Sequence, residues 1–280
     1  MFEIVRCGFM FSIVFSKRDP AGGGIARYLA KALSCNPCDM FPECYDCGEI
    51  IIGGFEEDVL YFDFLDKLMP PEISFYIVAS RHSSSAGVKS FTVHHTGNFG
   101  HEAPYGGKPR ELGISHPRVA LTLLRLLQKY ATLFHRSEYQ VGYEATHHGP
   151  TSLLKPLVFI EIGSSLEEWV DPINQMVVGE ALREFAETEN AKECFPVIGI
   201  GGGHYPRKHT ETALTKDVCY GHIASKHVLD VLDEHMLSQM VSKSHISIRG
   251  IFVEKKSLRR DQREFIVKYA SRHGLVIEYL

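Results

Sequence analysis

Short, wholly apolar runs alternate along this chain with longer amphipathic ones. Residues 9–15 (Phe-Met-Phe-Ser-Ile-Val-Phe) read as a central strand, and 157–163 (Leu-Val-Phe-Ile-Glu-Ile-Gly) as a strand carrying one acid. Further strands are expected over 73–80, from 91, over 139–143, 195–198, 246–251 and 275–279. Ser115-His116-Pro117 opens a helix: Ser115 or His116 caps it and Pro117 fits its first turn. Val119, Ala120, Leu123, Leu124, Leu127 and Tyr130 form its apolar face. Asp171-Pro172 opens a second helix, with Ile173, Met176, Val177, Ala181 and Phe185 inside. A short helix is expected over 25–33 and a longer one over 221–240. Strands and helices alternate throughout, which predicts an α/β fold, a three-layer sandwich with a mixed sheet. No linker, repeat or low-complexity tract interrupts it, so one domain spanning 1–280 is expected.

Four of the strands run into histidine. His82 follows 73–80, His94 and His95 follow 91–93, His147 and His148 follow 139–143, and His204 and His209 follow 195–198. If these strands share a sheet and run parallel, their histidines meet at its carboxyl edge, where open α/β sheets bind ligands. The last motif, Gly199-Ile200-Gly201-Gly202-Gly203-His204-Tyr205-Pro206-Arg207-Lys208-His209, holds the most chemistry. Its glycines let the backbone approach a ligand closely, imidazoles transfer protons or bind metals, and Arg207 and Lys208 suit a phosphate or an anion. Adjacent histidines on a strand face opposite ways, so one of each pair is expected in the site unless the strand has already broken. The members nearer the loop, His95 and His148, are the ones expected there.

Glu144 and Glu161 are expected inside apolar strands, and buried carboxylates need a histidine, an arginine or a metal. No nucleophile elbow is present, and Ser83–Ser85 beside His82 read as turn residues. Histidine plus acid favours hydrolysis by an activated water, with or without zinc. A glycine-rich turn at Gly22, Gly23 and Gly24 before a helix has the order of a phosphate loop but matches no phosphate fingerprint, so a tight turn suffices. The long segment 97–114, with His101, Glu102 and Arg110, reads as a functional loop.

Composition narrows the setting. No apolar run approaches the ~20 residues that span a bilayer, and residues 1–6 do not resemble a signal peptide. A cytoplasmic protein without a membrane partner is expected. A net charge of −4 excludes an all-over basic nucleic-acid binder and makes DNA an unexpected partner. A local basic run, Lys255-Lys256-Ser257-Leu258-Arg259-Arg260-Asp261-Gln262-Arg263, reads either as a solvated helix face or as a binding patch. Cys35, Cys38, Cys44 and Cys47 form two Cys-x-x-Cys knuckles that read as a structural zinc site in a local insertion, with a local disulfide or unpaired thiols as alternatives. Cys7, Cys194 and Cys219 read as buried core residues.

Taken together, the motifs resemble those of the archaeal and plant type of D-aminoacyl-tRNA deacylase. The resemblance rests on Ser16 to Ala21, Ser80-Arg81-His82-Ser83, His94-His95-Thr96-Gly97-Asn98, Glu144-Ala145-Thr146-His147-His148-Gly149-Pro150, Glu161-Ile162-Gly163-Ser164 and the stretch from Gly201 to His209. It implies hydrolysis of the ester joining a D-amino acid to the 3′ end of tRNA, a chiral proofreading step. It also implies a Zn2+ cofactor and a fold similar to the phosphorylase and peptidyl-tRNA hydrolase class. The paired cysteine knuckles and Gly22–Gly24 depart from that pattern. On this basis His82, Glu144, His204 and His209 are the expected catalytic residues. His95, His147, His148 and Glu161 are the expected metal ligands, with Glu144 serving water or metal. Gly202, Gly203, Arg207 and Lys208 are expected to bind substrate through phosphates or a developing oxyanion, and a monomer is expected. A zinc-dependent amidohydrolase or peptidase acting on small substrates is the first alternative. A non-catalytic RNA-binding module is the second, and the net negative charge argues against it.

Overall fold

The computed structural model describes residues 11–84, 87–188 and 193–280. Expectations placed on residues 1–6, Cys7, Phe9, Met10 and Ser85 lie outside the described residues. The first half of the chain forms β1 (Phe11–Ser16), α1 (Pro20–Ala32), β2 (Asn36–Pro37), β3 (Glu43–Asp46), β4 (Ile50–Phe55), α2 (Leu65–Leu68), β5 (Phe75–Ser83) and β6 (Ser90–His94). Next come β7 (Gly97–Asn98), β8 (Glu111–Leu112), α3 (Pro117–Leu133), β9 (Gln140–Tyr143), β10 (Leu157–Ser164), α4 (Leu166–Val170) and α5 (Pro172–Thr188). The remainder gives β11 (Phe195–Ile200), α6 (Arg207–Thr215), β12 (Val218–Ala224), α7 (Glu234–Ser242), β13 (Gly250–Val253), α8 (Arg260–His273) and β14 (Val276–Tyr279).

Among the described residues the main sheet has eight strands in the order β2-β3-β4-β1-β5-β10-β6-β9. Strands β4, β1, β5 and β10 are mutually parallel; β6 runs antiparallel to β10, and β9 is parallel to β6. The α/β class and the large mixed sheet are therefore present. A second, all-parallel sheet, β12-β11-β13-β14, lies beside the first.

Alternation sorts the core. Ile77 and Ala79 of β5, Phe91 and Val93 of β6, and Val158, Ile160 and Ile162 of β10 join one apolar cluster with α1, α3 and α5. Helix α3 also packs on β12, and the same cluster includes Val197, Tyr220 and Phe252 of the second sheet. The opposite face of β11 and β13 buries Ile198, Ile200, Ile251 and Val253 against α7 and α8. On the main sheet's other face, Tyr76, Val78, Leu157 and Phe159 meet Phe55, Phe62 and Leu65. Helices thus cover one face, while short segments and loops cover the other, and that is the face of the site.

Several local expectations change. Gly22, Gly23 and Gly24 lie inside α1, not in a turn before it; Asp19 caps the helix, accepting from the Ala21 and Gly22 amides. A Cβ at Gly22 would stand 2.5 Å from the Ala79 carbonyl oxygen, so this glycine serves close packing of α1 on β5, not a phosphate. Residues 221–240 are not one helix: the segment is β12 and then, after a turn, α7. The last strand before α8 starts at Gly250, not Ile246. The knuckle cysteines form disulfides, Cys35–Cys47 and Cys38–Cys44, in place of a zinc site. The β2–β3 pairing explains this, since Asn36 faces Asp46 and each cysteine finds one partner directly across the hairpin. Cys194 and Cys219 also bond to each other, instead of packing as free thiols.

Candidate active site

The site is built on the face of β10 that turns away from the helices, buried like its opposite. Leu157, Phe159 and Glu161 share one face, and the register places Glu161 opposite Ser80 of β5 and Thr92 of β6. His82 lies two residues beyond Ser80 and His94 two beyond Thr92. Because β6 runs antiparallel, the two rings approach Glu161 from opposite ends: His82 pairs with Gly163 and His94 with Phe159. His82 Nδ1 is 3.4 Å and His94 Nε2 3.5 Å from Glu161 Oε2, while the Ser80 hydroxyl donates to Oε1 at 2.7 Å. The histidines therefore converge over a sheet face, at the change of direction between β10 and β6. They do not line the carboxyl edge of one parallel sheet.

Two loops close the site. After β9 the strand breaks at Glu144, whose amide donates to Val93 O. Ala145 N donates to His204 O, Thr146 N donates to Ile223 O, and Thr146 Oγ1 accepts from the Ile223 amide. This lashes the segment to the second sheet and to the glycine loop after β11. Gly201 and Gly202 take positive φ values of 99° and 86°, which a side chain would strain, and turn the loop so that His204 Nε2 sits 2.9 Å from Glu144 Oε2. Glu144 also faces His82 Nδ1 at 3.1 Å and His147 Nε2 at 3.6 Å. Gly97 N donates to the carbonyls of both His147 and His148, and His148 adopts a positive φ of 45°. Thr96 and the segment 97–114 after it brace this loop: Thr96 Oγ1 donates to Pro150 O, and Gly149 N donates to Tyr105 O. His101 and Glu102 in it are exposed, and Arg110 pairs with Asp233.

Five histidines and two carboxylates thus share one centre: His82, His94, His147, His148, His204, Glu144 and Glu161. Of the expected residues, His95 and His209 are not brought into it. His95 sits on the parity of Phe91 and Val93 and faces away; its Nδ1 donates to Gly221 O and its Nε2 accepts from the His116 amide. His94 takes the place expected of His95. His209 is fully buried, edge-on to Tyr220 with centroids 5.0 Å apart, because α6 turns it inward behind the glycine loop. Both members of the 147–148 pair enter, since the strand has ended before them. Gly201 N and Gly202 N donate to Ala224 O and Ser257 Oγ, so they are not free to hold an oxyanion. Arg207 is exposed and Lys208 half-buried at the start of α6. Ser80 and Tyr205 are the residues that sequence reasoning passed over; the Tyr205 hydroxyl is 2.8 Å from His82 Nε2.

The electrostatics divide the rings. Burial lowers the His82 imidazole, but its hydrogen bonds to Glu144 and Glu161 outweigh this and raise it to about 10. His94 is likewise pulled down by burial and raised overall by Glu161. Burial and neighbouring histidines hold His147 far below its usual value, and burial brings His148 to about 4. Burial pushes Glu144 and Glu161 up, yet their hydrogen bonds to His204, His82 and His94 prevail and keep both ionised.

The donor set fits a metal. His94, His147 and His148 donate Nδ1–H to the carbonyls of His95, Ala145 and Gly149, which leaves Nε2 of each as the atom that would meet a metal. These three residues, and separately His82–Glu144–His204 and His94–Glu144–Glu161, bring possible ligand atoms within 4.8 Å of one another. His94 Nε2 and both Glu144 oxygens are buried without a well-formed hydrogen bond.

The matched family model, D-aminoacyl-tRNA deacylase, covers residues 69–278 and so includes every residue of this centre. The chain belongs to the D-aminoacyl-tRNA deacylase family. It is similar to proteins named D-aminoacyl-tRNA deacylase from Desulfurococcus amylolyticus (52% identity over 97% of this chain and 100% of the relative) and Staphylothermus marinus (50% over 97% and 99%). A crystal structure described as a conserved protein of unknown function superposes with a TM-score of 0.89 at 31% identity, covering 97% of this chain and 95% of the other.

Proposed function

We propose that this protein hydrolyses the ester between a D-amino acid and the 3′ end of tRNA, in the cytoplasm. Membership of the deacylase family supports the substrate. The observation that carries the chemistry is the pair of buried carboxylates, Glu144 and Glu161, ringed by five histidines. An aminoacyl ester is already activated, so an oriented water and a proton carrier suffice. Glu144 takes the proton of the attacking water, and the new C–O bond forms as the ester C–O bond breaks. His204, 2.9 Å from Glu144, delivers a proton to the departing ribose 3′ oxygen. His82 and Tyr205 hold Glu144 and Glu161 in place, and Arg207, Lys208 and the Gly203 amide face the substrate.

We further read His94, His147 and His148 as the residues that would hold zinc, with Glu161 beside them. Bound there, zinc supplies Lewis-acid polarisation of a carbonyl or a water. The mixed sheet with helices on one face is compatible with the phosphorylase and peptidyl-tRNA hydrolase class of sandwich. No helix among the described residues is long and apolar enough to cross a membrane. The test follows ester loss from D-tyrosyl-tRNA and L-tyrosyl-tRNA, each with and without a chelator. Loss of the D-ester alone, abolished by chelation and restored by zinc, is the expected result. Equal loss of both esters would make the protein a general esterase, and loss of neither would overturn the reading.

A further inference from the structure

The glycine loop that delivers His204 is held from outside by two other segments. Gly202 N donates to Ser257 Oγ at 2.9 Å, Lys226 N donates to Gly202 O at 2.8 Å, and Glu254 N donates to Ile200 O at 2.8 Å. These contacts place Lys226, Lys255 and Lys256 beside the loop, and Arg207 and Lys208 continue directly from it. Arg207, Lys226, Lys255 and Lys256 are exposed and Lys208 partly so.

None of the five forms an ion pair among the described residues. Cations elsewhere are commonly neutralised: Arg136 by Asp171, Arg118 by Glu193, Arg183 by Glu180 and Glu187, and Lys216 by Glu278. The single acid in segments 201–208, 225–228 and 254–257 is Glu254, whose Oε2 lies against Gly202. On a chain of net charge −4, an unneutralised basic patch attached to the loop of a reacting centre needs a polyanion to account for it.

We propose that Lys226, Lys255 and Lys256, with Arg207 and Lys208, form the seat for the sugar-phosphate backbone of the tRNA 3′ strand. This rests on the reading of the protein as a tRNA ester hydrolase. The loop then does two things at once: one end sets His204 against Glu144, and its supports grip the phosphates upstream of the ester. The seat is independent of sequence, because ammonium groups read phosphates and not bases.

The test compares wild type with the triple variant K226E/K255E/K256E on two substrates, D-tyrosyl-tRNA and D-tyrosyl-adenosine, which keeps the ester but lacks every phosphate. The variant should lose on the order of 10- to 100-fold in kcat/KM on the tRNA, through KM, and flatten its salt dependence by roughly 0.7–0.9 log unit per lost phosphate contact. It should hydrolyse the adenosine ester at the wild-type rate. A K31E/K67E control, reversing exposed lysines of α1 and α2, should behave as wild type. An unchanged KM and salt slope on tRNA would overturn the seat, and so would equal losses on both substrates. If wild type cleaves neither ester, the proposed function falls instead, and filter binding of the same tRNA to both proteins still decides the seat.

Discussion

Two groups of histidines lie in this molecule, and rings raised above their ordinary value are found in only one of them, where His147 and His148 are nonetheless held low. Around Glu144 and Glu161, His82 is raised to about 10 and His94 above its ordinary value, because buried carboxylates favour the cationic ring. In the second group, His95, His116, His222 and His245, no ring meets a carboxylate among the described residues. His222 Nε2–H donates to Gly113 O and Lys243 O, while its Nδ1 faces the Thr146 hydroxyl. Burial then lowers His116 to about 3 and His222 to about 4, and holds His95 well below its ordinary value. His94 and His95, adjacent in the chain, fall one into each group. The acid beside a buried imidazole decides its work: with one it is charged or metal-ready, and without one, as in His95 and His222, it is a neutral fastener between neighbouring polar groups.

That contrast can be broken most severely at its acids. Glu144→Gln should lower kcat on D-tyrosyl-tRNA by about 10³-fold, since it removes the proton acceptor, whereas His222→Asn should lower the melting temperature and leave the turnover of folded enzyme within about threefold. Steady-state kinetics on thermally characterised protein reads both. A kcat loss in His222→Asn matching that of Glu144→Gln would erase the distinction. The next effect is covalent. The Cys194–Cys219 bond ties β11 to the strand that bears His222, and removing it by C194S/C219S should cost about 3 kcal/mol in denaturant unfolding with kcat retained.

Acid should then act through the buried neutral rings. His209 and His222 are each held at about 4 by burial, against about 6.5 when unfolded. The unfolded chain binds more protons in that window, so their contribution is complete above about pH 6.5 and is lost as pH falls toward 4. At pH 5 each should cost about 2 kcal/mol; a wild-type unfolding free energy unchanged between pH 7 and 5 would contradict this. The smallest effect is expected from Tyr205→Phe, which removes one hydrogen bond to His82 and should reduce kcat by about tenfold with little change in stability.

Much of this was legible from local pattern. The apolar run of β10 and the Pro117 start of α3 fell where periodicity put them, since both are decided by neighbours in sequence. The phase of the His94–His95 pair was also readable: His95 shares parity with Phe91 and Val93, which face the helical core, so His94 had to face the other way with Thr92. The histidine-ended strands did not share one parallel sheet, because strand direction is set by non-local pairing and the reversal at β6 has no local signature. The same holds for β12, where helical periodicity after residue 228 was extended back over Gly221, His222, Ile223 and Ala224. The knuckle spacing suited zinc and disulfides alike, and the hairpin register decided between them.

The most direct test of the account is the rate of D-tyrosyl-tRNA hydrolysis by His94→Ala set beside that of His95→Ala, with folding of both checked by circular dichroism. The account predicts that His94→Ala loses at least about a hundredfold in kcat, while folded His95→Ala turns over at close to the wild-type rate. Equal activity in the two variants, or loss confined to His95→Ala, would contradict it.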